Sequence, residues 1–213
     1  EGIFISHEHS DHIAGLQQLL KRFDIPVYTK QGTWREIQDK LIVPKNQLIE
    51  LTKGSLTLGN LVVEPFAVSH DAADPIGINV FAGKDKATVV TDTGVISDSI
   101  LRRMDDTTLL VLEANYDPHM LRFGPYQPFL KQRVASDEGH LSNEMAAQAL
   151  LMMNRPDFMQ VILAHRSENN NNAVLVTQTI GKMLVDGGVR IGPEMKLQHG
   201  QPNEIVSMKS VKR

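Results

Sequence analysis

The stretch Ile3-Phe4-Ile5-Ser6-His7-Glu8-His9-Ser10-Asp11-His12 sets three imidazoles and two carboxylates within six residues, directly after a short apolar run. Imidazole nitrogen and carboxylate oxygen are the donors that borderline divalent metals accept. Alternate side chains of an extended backbone share a side, so His7 and His9 point together. Asp11 and His12 fall where the chain must turn, so they can address a second position beside the first. The spacing therefore points to two divalent metal ions, Zn²⁺ or Mn²⁺. The plain alternative is a solvated polar turn with incidental histidines. The chain has no cysteine, so any further ligands must be histidines or carboxylates drawn from distant segments.

Composition bounds the rest. The 213 residues suffice for one domain with a sizeable core, taken as residues 1–213. The apolar fraction of 41% is ordinary for a soluble globular protein, and no apolar run reaches the length of a membrane span, so no membrane partner is expected. A net charge of −3 argues against a general polyanion binder and leaves room for a local basic face. Absence of cysteine fits a reducing compartment and a cytoplasmic location. The chain opens on Glu1 inside a strand-like run, and so reads as a piece of a longer sequence.

In chain order, residues 2–6 read as a buried strand, 13–22 as a helix, 25–29 as a strand and 33–41 as a helix, an order that implies parallel pairing. A short strand at 48–51 follows. Gly59-Asn60 between apolar runs signals a hairpin, with the second arm running to Ser69. Residues 76–82 and 87–91 form the next pair around a turn at 83–86. A helix capped by Ser97 covers 98–104, and an apolar strand runs from Leu109 into Glu113-Ala114-Asn115. Residues 116–139 are mixed and polar, with a helical turn or two at 129–134. A helix from Ser142 to Met153, a strand at 159–164, a helix at 173–186 and a last strand at 205–208 complete the reading.

Four of these strands end at a metal-capable residue: His7 after Ser6, His70 after Ser69, Asp92 after Thr91 and His165 after Ala164. Sites in layered α/β proteins gather where loops converge at strand ends. A single terminal histidine is ordinarily a core residue bonded to a backbone carbonyl. Four endings of one chemistry favour a shared site. One ion takes His7, His9 and His70, the other takes Asp11, His12 and His165, and Asp92, alone in sequence, suits the bridge. Two ions about 3.5–4 Å apart can share a hydroxide and bring its pKa toward neutrality, so metal-assisted hydrolysis follows.

At these residues, and in this order, the chain resembles the metallo-β-lactamase superfamily. The resemblance spans nearly the whole sequence. It implies an α/β fold: an αβ/βα four-layer sandwich of two mixed sheets with outer helices and a dinuclear site at one edge. It matches the ligand roles above and makes Asp11 a catalytic carboxylate as well as a ligand. It also implies two or three strands ahead of the His-rich motif. Those are not in this sequence, so the first sheet should be short, with residues 3–6 at an edge.

The element Gly139-His140-Leu141-Ser142-Asn143-Glu144, followed by Ala164-His165-Arg166-Ser167, resembles the nuclease branches of that superfamily. There the histidine is a non-ligand that meets the scissile phosphate. His140 at a helix N-terminus can donate to a phosphate oxygen or protonate a leaving oxygen; otherwise it is a helix-entry residue ahead of a Ser142 or Asn143 cap. Glu113-Ala114-Asn115, Tyr126, Lys131-Gln132-Arg133 and the run from Asn169 to Asn172 narrow the resemblance to the YycJ/VicX (WalJ)-type single-domain hydrolases, which implies DNA exonuclease activity. Tyr116 departs from that pattern, standing where a histidine is expected, with His119 nearby. About seventy residues separate Asp92 from His165, too few to hold a clamping domain of usual size.

The function read from the sequence is therefore a metal-dependent phosphodiesterase acting on DNA rather than RNA, as a 5′ to 3′ exonuclease. Asp11 and His140 are its catalytic residues. Ser142, Asn143, Arg166 and Asn169 are candidate substrate contacts, with Arg122, Lys131 and Arg133 on the phosphate backbone. A thioesterase or lactonase on the same metal core is the second reading, favoured by the acidic balance and disfavoured by the Gly-His-Leu-Ser element. A non-enzymatic module with a vestigial site is the third, opposed by the full ligand set.

Overall fold

The computed structural model describes residues 2–52, 54–201 and 204–207. Alternation along the first strand sets its layers. In β1 (Ile3–Phe4) and the residue after it, Ile3 and Ile5 turn to one side and Phe4 to the other. Helices α1 (Ser10–Ile13) and α2 (Leu16–Leu20) follow, then β2 (Val27–Thr29), α3 (Gln31–Ile37) and β3 (Leu48–Glu50). The three strands form a parallel sheet in the order β1-β2-β3, because α1 and α2 join β1 to β2 and α3 joins β2 to β3. β1 lies at an edge, as the shortness of this sheet led us to expect. Ile5 and Val27 bury against Ile13, Leu16 and Ile37 of the three helices.

The second sheet has seven strands. β4 (Leu56–Leu58), β5 (Leu61–Ala67), β6 (Ile76–Ala82) and β7 (Asp85–Val90) are antiparallel neighbours. The β4–β5 loop is the two residues Gly59-Asn60, with Gly59 at φ +61°, where a side chain would be strained. After β7 the connections become helical and the pairing parallel. The elements are α4 (Asp98–Met104), β8 (Leu109–Glu113), α5 (Pro118–Phe123), α6 (Pro128–Val134), α7 (Asn143–Met152), β9 (Met159–Ala164), α8 (Ala173–Asp186) and β10 (Met195–His199). This sheet is mixed, and the small one is parallel throughout.

The layers are bound by three apolar interfaces. Leu110 and Leu112 of β8, with Met159, Val161 and Leu163 of β9, are buried against Met104, Ala146, Leu150, Ile180 and Leu184 of the outer helices. Between the sheets, Phe4 stacks on Tyr28 with ring centroids 4.8 Å apart, and Leu51, Ile76 and Ile78 join them. Side-chain caps start α4, α5, α7 and α8: Ser97 accepts from Ile100 N, Asp117 from Met120 N, Ser142 from Met145 N and Asn172 from Leu175 N. No described helix is long and apolar enough to cross a membrane.

Three expectations are corrected. The first helix starts at Ser10 rather than 13, inside the His-rich motif, and α2 is a separate short helix. Residues 118–123 form a helix that the polar composition concealed, although Asp117 caps it and Pro118 occupies its first turn. The last strand is Met195–His199, not 205–208. Met195 and Leu197 alternate with Lys196 and Gln198, whereas Ile205 is 95% exposed and residues 204–207 are irregular; Met208 lies outside the described residues.

A buried amide cluster ties these elements together at one end. Asn171 donates to Ala114 O and Asn115 O, and its amide pairs with that of Asn143 at distances of 2.8 and 3.1 Å. Asn171→Ala should therefore lower unfolding free energy by about 2–3 kcal/mol, read from denaturant titration, because it strands several buried polar groups. An unchanged midpoint would refute this role.

Candidate metal centre

β5 and the parallel strands β7, β8 and β9 all run toward one edge, and β1 ends beside them, with Ile76 N bonded to Ser6 O. This shared direction is why His70, Asp92, Glu113 and His165 come together. His7, His9 and His70 have ligand atoms within 4.8 Å of one another; so do Asp11, His12 and His165. Asp92 touches both groups. Its Oδ1 lies 3.8 Å from His70 Nε2 and 3.3 Å from His165 Nε2, and its Oδ2 lies 3.4 Å from His12 Nε2. The chain is extended through His9 and helical from Ser10, and His12 comes back against His7, their ring centroids 4.1 Å apart.

The donor atoms suit cations. His7 is 1% exposed; its Nδ1 contacts Ser6 Oγ and its Nε2 is buried with no hydrogen-bond partner. Burial, aided by repulsion from His12, holds the His7 imidazole neutral down to about 3, the form that ligates. His9 Nδ1 and His70 Nε2 face each other at 3.3 Å. That is the ligand–ligand edge of a tetrahedral zinc site, about 3.3–3.4 Å for bonds of 2.0–2.1 Å. His70 Nδ1 sits 3.1 Å from the carbonyls of Glu138 and Gly139, to which it donates, and this leaves Nε2 for the site. Burial pushes the Asp92 carboxyl up, but His12 and His165 outweigh it and hold the group ionised. Asp92 and His165 both adopt left-handed backbone, at φ +56° and +51°.

Glu113 supports this arrangement from beneath. It is wholly buried, and its Oε1 accepts from His140 Nδ1 at 2.7 Å and from His165 Nδ1 at 2.8 Å. Backbone N–H groups of Thr93 and Leu141 reach its Oε2. Burial disfavours its charge, and the two imidazoles more than offset this, so its pKa is lowered. His140 is therefore fixed by a carboxylate rather than by a helix terminus, and its Nε2 is the nitrogen left for a substrate. Gly139 precedes it because a Cβ there would lie 2.3 Å from the carbonyls of Arg133 and Val134.

The substrate candidates separate. His140, His165, Arg133, Arg166, Tyr126 and Asn169 line one cavity of about 410 Å³. Asn143 is wholly buried and held by Asn171, and the Ser142 hydroxyl caps α7, so neither side chain faces that cavity. Both expectations fail because these residues anchor a helix instead. Arg133 is paired with Asp71, and Arg166 Nη2 lies 3.3 Å from Gln201. Asp71 went unnoticed in the sequence. It lies 3.6 Å from His70 Nε2 and 3.8 Å from His9 Nε2, and its only signal was adjacency to His70. Tyr116 packs with Leu121 and Val134, and His119 is exposed on α5 against Phe123, so neither stands in for the expected histidine.

His165 gives a testable pH dependence. Burial lowers its pKa, but Asp11, Glu113 and Asp92 overcome this and push it up to about 10. A cation at this triad competes with that proton. Metal affinity should then rise with pH across the neutral range and level off near 10, with proton release visible by calorimetry in buffers of different ionisation enthalpy; pH-independent uptake would contradict this. Glu113→Gln should weaken binding by about 10–100-fold by loosening His165.

Comparison with known proteins agrees with this geometry. A family model described as the β-lactamase superfamily domain matches residues 1–165. The exodeoxyribonuclease YycJ of Bacillus anthracis is 35% identical over 203 residues, which is 94% of this chain and 77% of that protein. The exodeoxyribonuclease WalJ of Streptococcus pneumoniae serotype 2 is 32% identical over 208 residues, 95% and 77% of the two. Among solved structures, the metallo-β-lactamase fold protein YhfI of Bacillus subtilis superposes with a TM-score of 0.68 at 17% identity, over 93% of this chain and 75% of that one. The matched domain, the extent of the two relatives and the shared fold place the chain in the metallo-β-lactamase superfamily of hydrolases, alongside the YycJ and WalJ proteins.

Proposed function

We propose that the chain is a metal-dependent phosphodiesterase that removes nucleotides from DNA ends in the 5′ to 3′ direction. The observation that carries this reading is His140. It is an imidazole outside both ligand triads, bonded through Nδ1 to a buried carboxylate and lining the cavity that His165, Arg133 and Arg166 share. A thioester or lactone hydrolase has no need of a fixed second imidazole with arginines beside it. The names of the YycJ and WalJ relatives point the same way.

The triads His7–His9–His70 and Asp11–His12–His165, with Asp92 between them, would hold two divalent ions, Zn²⁺ or Mn²⁺. Such ions supply Lewis acidity toward a phosphoryl oxygen and acidify an attacking water. The chain's own residues do the rest. Arg166 and Arg133 face the phosphate backbone across the cavity, and Asn169, hydrogen-bonded to Tyr126 Oη at 3.5 Å, borders the same space. Asp11, ionised and exposed, is placed to take a proton from the attacking water. As the bond from phosphorus to the leaving oxygen breaks, His140 Nε2 delivers a proton to that oxygen. Because His140 Nδ1–H donates to Glu113, the proton that Nε2 delivers comes from the doubly protonated ring, which Glu113 holds in the orientation this step needs.

Two variants test the assignment on end-labelled DNA in the presence of Mn²⁺ or Zn²⁺. His9→Ala should abolish release and lower metal content. His140→Ala should cut the rate by about 10²–10⁴-fold with metal content unchanged. Labels at either end give the polarity. Equal DNA cleavage by wild type and His9→Ala would sink the reading; so would thioester or lactone turnover that survives loss of His140.

A further inference from the structure

The segment from Pro118 to Val134 carries Arg122, Lys131 and Arg133 and no acidic residue, in a chain whose net charge is −3. It forms the arm α5–α6. The arm has its own small core, in which Leu121 and Val134 pack with Tyr116, Tyr126 and Leu130. That core does not use Phe123 or Phe129, which are 66% and 71% exposed. Only one other phenylalanine among the described residues, Phe23, is mostly exposed. Single exposed apolar residues need no explanation. Two aromatic rings interleaved with three cations on one arm do.

The arm also leads into the metal centre. Phe129 and Arg133 are one helical turn apart on α6, and neither belongs to the core that Leu130 and Val134 enter. Arg133 in turn pairs with Asp71 beside His70 and His9. Tyr126, Leu130 and Arg133 form the wall of the cavity that holds His140 and His165. On α5, the Arg122 guanidinium lies 5.3 Å from the Phe123 ring centroid, and His119 supports that ring from 4.6 Å. Lys131 Nζ donates to Arg122 O at 2.9 Å, which ties the two helices together and leaves the ammonium two further donors.

Resting on the phosphodiesterase reading, we propose that this arm is a stacking platform for single-stranded DNA. Phe123 and Phe129 take the faces of bases flanking the nucleotide under attack, and Arg122 and Lys131 take the intervening phosphates. The occupant follows from the chemistry. Cations alone would suit any polyanion, but an exposed ring can stack only on a base whose face is uncovered, and a duplex hides those faces. The enzyme would thus hold a strand that has left its complement.

The test is equilibrium binding of metal-loaded, full-length protein to a short, labelled, phosphorothioate oligothymidylate, read by fluorescence anisotropy. Phe123→Ala/Phe129→Ala should weaken binding about ten-fold or more. Phe23→Ala should leave it unchanged, and Arg122→Ala/Lys131→Ala should flatten its salt dependence. The double phenylalanine variant should keep full turnover of bis(p-nitrophenyl) phosphate, which fits the cavity at His140 and His165 that neither phenylalanine lines; loss of that turnover would mean a disturbed centre and would overturn the proposal. Oligothymidylate affinity within two-fold of wild type would also overturn it. So would light scattering that shows a wild-type dimer made monomeric by the double variant, which would assign the face to a second copy of the chain, or phenylalanine-dependent sedimentation with anionic vesicles. If wild type fails to turn over any phosphodiester, the catalytic reading falls, while the anisotropy series still decides the platform.

Discussion

The site depends on one fully buried negative charge. A carboxylate removed from water is costly unless fully bonded. Glu113 meets that demand with two imidazoles and two backbone N–H groups. Each bond it accepts fixes something else: the orientation of His165 toward Asp11 and Asp92, the orientation of His140 toward the cavity, and the course of the chain at Thr93 and Leu141. Glu113, which does not line the cavity, thereby sets the geometry of two imidazoles that do, His140 and His165.

That charge can be placed there because β7, β8 and β9 are parallel and adjacent. Their last residues arrive at one level, so Asp92, Glu113 and His165 are delivered by the sheet rather than by loop conformation. The small sheet brings His7 to the same edge. Helix α1 begins inside the motif, and this early start sets Asp11 and His12 on a turn of helix while His12 stays in contact with His7. The centre is thus assembled from strand ends and helix α1, with connecting segments supplying His7, His9, His70, His140 and the carbonyl partners of His70.

Much of this was legible in the sequence. The metal-capable residues announce themselves because dense histidine has few structural uses, and their strands are short apolar runs with clear ends. Helix α8 and the Gly59-Asn60 hairpin carry strong local signals, and the structure places them where they were expected. Less visible was anything defined by a partner far along the chain. Glu113 closes an apolar strand like any solvated carboxylate, and only the approach of His140 and His165 makes it central. Asp71 gains its position through Arg133, 62 residues away. Asn143 read as a substrate contact because its neighbour His140 did, yet Asn171 claims its amide. β10 hid because an edge strand needs apolar residues on one face only, and two of them sufficed.

The left-handed backbone at Asp92 and His165 carries a further implication. These two positions are filtered by conformation before chemistry enters. β-branched residues are excluded by their Cβ substituents, and of the residues that tolerate this region best, glycine supplies no ligand and asparagine no charge. Among metal-capable side chains, aspartate and histidine are the two that this backbone admits readily, so the donor chemistry at either position can change only by exchanging one of them for the other, whereas His9, Asp11 and His12 lie on ordinary extended or helical paths and carry no such filter.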